Sequence, residues 1–289
     1  MDQLSAYLPL LDLVLINCGF AFSQSIVLRA GVFSLGTAGF AALGAYSATL
    51  LIQTFDVSLI IAIAGSLGIG VGSAFLLSIP LAKLRGVYQA IATLAFVQIV
   101  GAVLLFADGI TRGAMGIHGI PQLIETKFLL MMLAVIVYFL WALDRGWTGL
   151  AFNAIRQDET VASSLGISVA SHHTLALVLS GAIGGLYGGI QSLYVFSIEP
   201  GMYGFTMMVS VLTFVIIGGR SSILGPIVGS GFMTLLPEIS RPMAEWRMLV
   251  YGLLLMLIII FLPHGLVDTV TKSFKRRQLS KKTISKVTI

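Results

Sequence analysis

Apolar stretches of membrane-crossing length, repeated along almost the whole chain with charged residues at their ends, constrain this sequence more than any other feature. A helix needs about 20 predominantly apolar residues to cross a bilayer. By that measure, segments lie at Leu8–Leu28, Val32–Gln53, Leu59–Leu81, Tyr88–Phe106, Phe128–Leu143, Leu175–Phe196, Phe205–Ile217 with Ile227–Leu236, and Met248–Leu262. The pair flanking Gly218 to Pro226 is short, which predicts broken or partly re-entrant helices around a glycine-rich turn. Only 10% of residues are charged and 57% are hydrophobic, whereas soluble domains run near a quarter charged. The expected fold class is an all-α polytopic transmembrane bundle.

Seven of the 17 basic residues (Lys272, Lys275, Arg276, Arg277, Lys281, Lys282 and Lys286) fall in the last stretch, and the rest of the chain is slightly acidic. A basic run just after a membrane helix reads as cytoplasmic and facing lipid headgroups. Residues 1–271 are therefore expected to form one membrane domain, and 272–289 a cytoplasmic tail. Alternating backwards puts Arg29, Lys83, Arg85, Arg145, Arg156 and Arg220 inside. It puts Asp2, Asp56, Asp108, Glu125, Glu199, Glu238 and Glu245 outside, with Arg112, Lys127, Arg241 and Arg247. Nine segments with the N-terminus outside satisfy the positive-inside rule, eight and ten being the neighbouring counts.

Several functions are excluded on composition. The basic tail has none of the aromatic interleaving that stacks bases, so nucleic acid is not an expected partner. No Gly-Lys-Ser/Thr phosphate loop occurs anywhere. Cys18 is alone, His118 has no second ligand at metal spacing, and the adjacent His172 and His173 diverge on a helix. No enzyme, cofactor or metal site is expected. Asp12 is the only ionisable residue inside a span, where an ion-coupled carrier usually keeps one. The chain therefore does not look as though it supplies its own energy coupling, though a stand-alone secondary transporter of a small polar or amphipathic solute is the alternative.

The polar island at 145–171 stands out in this setting. Asn153, Ile155 and Arg156 precede a short helix expected near Gln157-Asp158-Glu159, where acids suit the positive end of a helix dipole. Val161, Ala162 and Leu165 recur at helical spacing as an apolar stripe, and Gly166 is the expected C-terminal cap. The stripe either lies on lipid or fits a groove in another protein.

Elsewhere, small and polar residues admit two readings each. Gly181, Gly185 and Gly189, with Gly184 and Gly188, let helices approach backbone to backbone or form a smooth wall beside a path. Gly36 and Gly44 are read the same way. Thr37, Tyr46, Gln89, Thr93, Gln98, Tyr187 and Gln191 line a path or satisfy one another between helices. Gly218, Gly219, Gly225 and Pro226 form an ordinary cytoplasmic turn or part of a gate.

Taken together, Ser34-Leu-Gly36 with Gly44-Ala-Tyr46, Leu84-Arg-Gly-Val-Tyr88 with Ala92-Thr-Leu94, and Gly116-Ile-His-Gly-Ile-Pro121 carry a family resemblance. Ala154-Ile-Arg156 with Asp158-Glu159, Leu165-Gly-Ile167, Gly218-Gly219 with Gly225-Pro226, and Phe261-Leu-Pro-His-Gly-Leu266 add to it. From Ser25 to Leu266 the chain resembles the integral-membrane permeases of branched-chain amino acid ABC importers, the M-type subunit most closely. The resemblance implies a bacterial cytoplasmic-membrane protein that pairs with a homologous second permease, two cytoplasmic ATP-binding subunits and an extracytoplasmic solute-binding protein. It also implies that Asn153–Ser168 couples to the ATPases. Arg112 stands where the family carries a glycine.

Overall fold

The computed structural model describes residues 2–220 and 222–239, and beyond them residues 252, 256, 265–267 and 269. The expected segment Met248–Leu262 lies almost wholly outside the described residues, and the basic tail 272–289 lies entirely outside them. So do Ser221, Arg241, Glu245 and Arg247.

Helices follow in the order α1 (Asp2–Arg29), α2 (Thr37–Phe55), α3 (Leu59–Leu81), α4 (Val87–Phe106) and the single turn α5 (Asp108–Thr111). A two-residue strand β1 (Ile117–His118) leads to α6 (Thr126–Arg145), α7 (Trp147–Gln157), α8 (Glu159–Ser164) and α9 (Val169–Ser192). Strand β2 (Ser197–Ile198), a 3-10 turn at Pro200–Tyr203, α10 (Phe205–Gly218) and α11 (Leu224–Ile239) complete the described chain. Among the described residues seven segments are long and apolar enough to cross a membrane, at Leu8–Arg29, in α2, α3, α4, α6 and α9, and at Pro200–Gly218.

Several boundaries differ from those expected. Helix α2 begins at Thr37 and not Val32, because residues 32–35 run without helical bonding and the Leu35 amide donates to Thr93 Oγ1 (2.9 Å). Helix α9 begins at Val169, a turn and a half before the apolar run starts at Leu175. The 3-10 turn lengthens α10 into a crossing, so the first of the short pair is not a half-helix. Helix α11 has 16 described residues, about 24 Å at 1.5 Å per residue. The bundle also carries an antiparallel ladder that hydropathy does not signal, with Ile117 opposite Ile198 and His118 opposite Ser197.

Helix α9 sits at the centre, packed against α1, α2 and α3. Its glycines explain how. A Cβ on Gly185 would lie 2.6 Å from Ser66 O and 2.8 Å from Gly70 Cα, and one on Gly189 would lie 2.7 Å from Ser66 Cβ. A Cβ on Gly181 would collide with Ala74, one on Gly44 with the Gly185 carbonyl, and one on Gly188 with the Ala41 carbonyl. Backbones thus meet across α2, α3 and α9, the close approach that small residues permit in membranes.

The ends of the helices sort onto two faces. On one, Arg29 Nη2 donates to Asp144 Oδ1 (2.6 Å), Arg85 faces Glu159 (3.8 Å), and Gly31 packs on the Arg156 backbone. On the other, Gln53 Nε2 donates to the His118 carbonyl (3.2 Å) beside the β ladder. The basic residues assigned to a common side by charge do fall together: Arg29 and Arg145 end α1 and α6, Lys83, Arg85 and Arg220 follow α3 and α10, and Arg156 lies in α7, all at the first face.

Candidate functional site

The polar island folds into two short helices lying across the Arg29 face. The short helix expected near Gln157-Asp158-Glu159 is α8, beginning at Glu159, and Asn153, Ile155 and Arg156 before it form part of a helix of their own, α7. The break falls at Asp158, whose extended backbone (φ −160°, ψ 114°) separates α7 from α8. Its carboxylate accepts from Thr160 N (2.8 Å) and Val161 N (3.0 Å), capping α8. Gly166 closes α8 at φ +82°, with Ile167 N donating back to Ala162 O (3.1 Å), the reversal that a left-handed residue makes possible.

Burial divides the expected stripe. Ala162 and Ile155 are buried, whereas Val161 is 55% and Leu165 73% exposed. Residues 161 and 162 are about 100° apart on a helix, so Ala162 faces the bundle and the i, i+4 pair Val161/Leu165 faces away. Trp147 and Leu150 on α7 are also exposed. Together these four apolar side chains give the Arg29 face an uncovered ridge, flanked by the exposed Arg156 and Asp158.

The ridge is tied to the bundle by contacts that hydropathy did not single out. Asp144 lies in the last turn of α6, where a carboxylate opposes the helix dipole, and the Arg29 guanidinium offsets it. An acid beside a helix C-terminus was the available signal. Phe152 meets the His172 ring edge-on (6.1 Å). A small pocket opens between Phe22, Arg29, Asp144, Phe152, Asn153 and Ile223. It joins α7 to the end of α1 and to the glycine turn between α10 and α11.

That turn is compact. Gly218 and Gly225 touch backbone to backbone, Gly219 adopts φ +107°, and a Cβ on Gly265 would lie 2.5 Å from Gly219 Cα. Pro226 stands in the first turn of α11.

The residues considered for a path do not behave alike. Thr37 Oγ1 donates to Gln24 Oε1 (2.8 Å), Gln89 Nε2 to the Leu84 carbonyl (3.0 Å), and Thr93 Oγ1 to Gln89 O (2.9 Å). All three are buried and satisfied within the bundle. Gln98 is exposed on the outer surface of α4. Tyr46, Tyr187 and Gln191 are different, since each keeps a buried oxygen with no partner. A Cβ on Gly36 would lie 3.3 Å from the Phe40 ring. Among the described residues no group of three His, Cys, Asp or Glu side chains could hold a metal.

On the glycine loop, Arg112 takes φ +59°, the left-handed region that glycine occupies without penalty. The glycine expected there from family resemblance has this conformational reason.

Comparisons with known proteins agree in kind. The sequence model of a family described as "Branched-chain amino acid transport system / permease component" matches residues 11–261. The chain is 29% identical over 286 residues to the high-affinity branched-chain amino acid transport system permease protein LivM of Escherichia coli (strain K12), covering 86% of this chain and 67% of that one. It is 29% identical over 192 residues to a branched-chain amino acid transport permease protein, LivH, of Methanocaldococcus jannaschii, covering 62% and 58% respectively. A solved metal-chelate type ABC transporter in an inward-facing conformation superposes with a TM-score of 0.51 at 20% identity, over 88% of this chain and 85% of that chain. At that identity the likeness speaks for the fold alone.

Proposed function

The chain belongs to the permease-component family of branched-chain amino acid transport systems, and we propose that it forms part of the membrane path of an ABC importer for branched-chain or related amino acids. The match over residues 11–261 carries this reading. In it the Arg29 face is cytoplasmic, the N-terminus lies outside, and the protein sits in a bacterial inner membrane. A homologous second permease completes the path, an extracytoplasmic binding protein delivers the solute, and two ATP-binding subunits supply the energy. The chain itself is a translocation subunit and not an enzyme.

The uncovered ridge of Trp147, Leu150, Val161 and Leu165 supports α7–α8 as the place where an ATPase docks. Its shape is that of an amphipathic element presented to a groove. Asn153, Ile155 and Ala162 anchor it from beneath, Asp158 and Gly166 fix the two ends of α8, and Arg156 and Glu159 flank it with charge. Movement of the ridge would reach the glycine turn through the Asn153–Ile223 pocket.

A carrier driven by an ion gradient is the second reading, favoured by one observation: Asp12 is a buried acid inside a spanning helix. Reconstitution in liposomes separates the two. The permease reading expects uptake of radiolabelled leucine only with the second permease, both ATPases, the loaded binding protein and internal ATP. Uptake by this chain alone under a sodium or proton gradient would establish the carrier instead.

A further inference from the structure

Among the described residues six buried side-chain atoms lack a hydrogen-bond partner, and five lie in the half of the bundle nearer the β ladder. They are Asp12 Oδ1, the Tyr46 and Tyr187 hydroxyls, Thr49 Oγ1 and Gln191 Oε1. In the other half, polar groups satisfy one another. Ser23 Oγ donates to Ser180 O (2.7 Å), Gln24 Nε2 to Ser34 O (2.6 Å), and Thr37 Oγ1 to Gln24 Oε1 (2.8 Å). A buried polar group left unpaired costs about 1–3 kcal/mol, and a carboxylate more. Such costs gathered in one half of one bundle suggest groups kept open for a ligand.

Three of the five fall along one contact strip. Tyr187 and Gln191 are i, i+4 neighbours and share a face at the end of α9, and Tyr194 follows in the turn just beyond it. The Tyr187 ring lies directly on Gly19 of α1 and meets Phe20 edge-on at 6.3 Å. Seven residues on from Tyr187, in the turn just past the end of α9, Tyr194 lies beside Asp12, which is seven residues back from Gly19 along the antiparallel α1. Burial first, then the Asp12 charge, raise the Tyr194 phenol above its ordinary range. Gln191 therefore lies between two contacts that α9 makes with α1.

The chemistry of the strip is one-sided. Asp12 is 7% exposed, and no basic side chain pairs with it among the described residues, where the ion pairs are Arg29–Asp144 and Arg85–Glu159. A carboxylate oxygen and an amide oxygen only accept, and a phenol accepts as readily as it donates. Acceptors with one negative member, away from water, suit a compact cation bearing several N–H donors. An anion or a hydrocarbon chain would leave them unsatisfied.

We propose that Asp12, Gln191 and Tyr187, between α1 and α9, receive the α-ammonium group of the carried amino acid on its way through the bundle. This rests on the amino-acid transport reading above and adds the residues that hold the substrate's cationic end.

The test uses the complete importer in liposomes, with radiolabelled leucine on its binding protein, and compares wild type with Asp12→Asn and Asp12→Glu. The expected result for Asp12→Asn is an uptake rate lower by about tenfold or more, since a charge-assisted bond becomes a neutral one. Its melting temperature in detergent should be unchanged or higher, because a buried carboxylate with no basic partner becomes neutral while the amide oxygen can still face Tyr194. Asp12→Glu should recover part of the uptake. Wild-type uptake in Asp12→Asn overturns the proposal, and so does lost uptake accompanied by a lower melting temperature in both variants, which marks a structural role. Wild-type uptake that requires an inorganic cation, with the requirement abolished in Asp12→Asn, assigns the strip to that cation and also overturns it. If the wild-type complex carries no amino acid at all, the transport reading itself fails and the ammonium ligand falls with it.

Discussion

Replacing Gly185 by leucine should prevent the bundle from assembling, whereas the same replacement at Gly72 should leave it intact. At Gly185 three helices meet: a Cβ would lie 2.6 Å from Ser66 O and 2.8 Å from Gly70 Cα, and Gly44 presses on the Gly185 carbonyl from α2. Those neighbours are backbone and cannot swing away. Even Gly185→Ala should cost about 1–3 kcal/mol, the usual range for overpacking a filled interior. For a chain of this size that lowers the melting temperature by about 2–4 °C per kcal/mol. Leucine would have to part α9 from α3, and the expected outcome is loss of monodisperse protein on size-exclusion chromatography in detergent. Gly72 sits on α3 with nothing within 4 Å of its missing Cβ, so Gly72→Leu should elute and melt as wild type does. Equal behaviour of the two leucine variants would refute the packing account.

Leu165→Asp carries the second large effect. Leu165 is 73% exposed at the end of α8, one turn beyond the 55%-exposed Val161. A charge there touches nothing in the bundle, so insertion and thermal stability should hold. If the ridge seats in an ATPase groove, an aspartate buried in that contact is an unpaired charge, and such a contact loses several kcal/mol. Uptake should fall by about a hundredfold or more while the ATPases continue to hydrolyse ATP without transport. Undiminished ATP-driven uptake in the variant would remove α8 from the docking surface.

How much of this was legible in the sequence differs from feature to feature. The crossings were readable because hydrocarbon demands long apolar helices. The glycine contacts at Gly44, Gly181, Gly185 and Gly189 were readable as a spacing, since four-residue repeats fall on one helix face. Which helix each glycine meets was not, because a spacing carries no information about the partner. Helix α2 began five residues later than hydropathy indicated: Val32 and Phe33 are apolar, but the chain there turns to bring the Leu35 amide to Thr93. The ladder of Ile117–His118 with Ile198–Ser197 has no sequence signal, because two-residue strands carry no period.

In the candidate site, the expected stripe contained its own test. Ala162 was grouped with Val161 and Leu165 by apolarity, yet it lies about 100° from Val161 and is buried in the bundle. Trp147 and Leu150, which extend the exposed ridge, fall inside the polar island at 145–171 but outside the Val161–Leu165 stripe, and two isolated apolar residues carry no period of their own. The Asp144–Arg29 pair leaves no local pattern, because its two members lie 115 residues apart in the chain. The unpartnered oxygens of Asp12, Tyr187 and Gln191 could be found only from structure, since a sequence does not record whether a hydroxyl bonds its own helix.

The central claim is that the exposed ridge of α7–α8 meets a cytoplasmic ATPase and not the lipid surface. A photo-cross-linking amino acid at position 165 of the assembled importer, in native-like lipid, tests it directly. The account predicts a cross-linked product of this chain with the ATP-binding subunit, identified by mass spectrometry and lost when the same residue is placed at Phe106 on the opposite face. Cross-links from position 165 to lipid alone would contradict it.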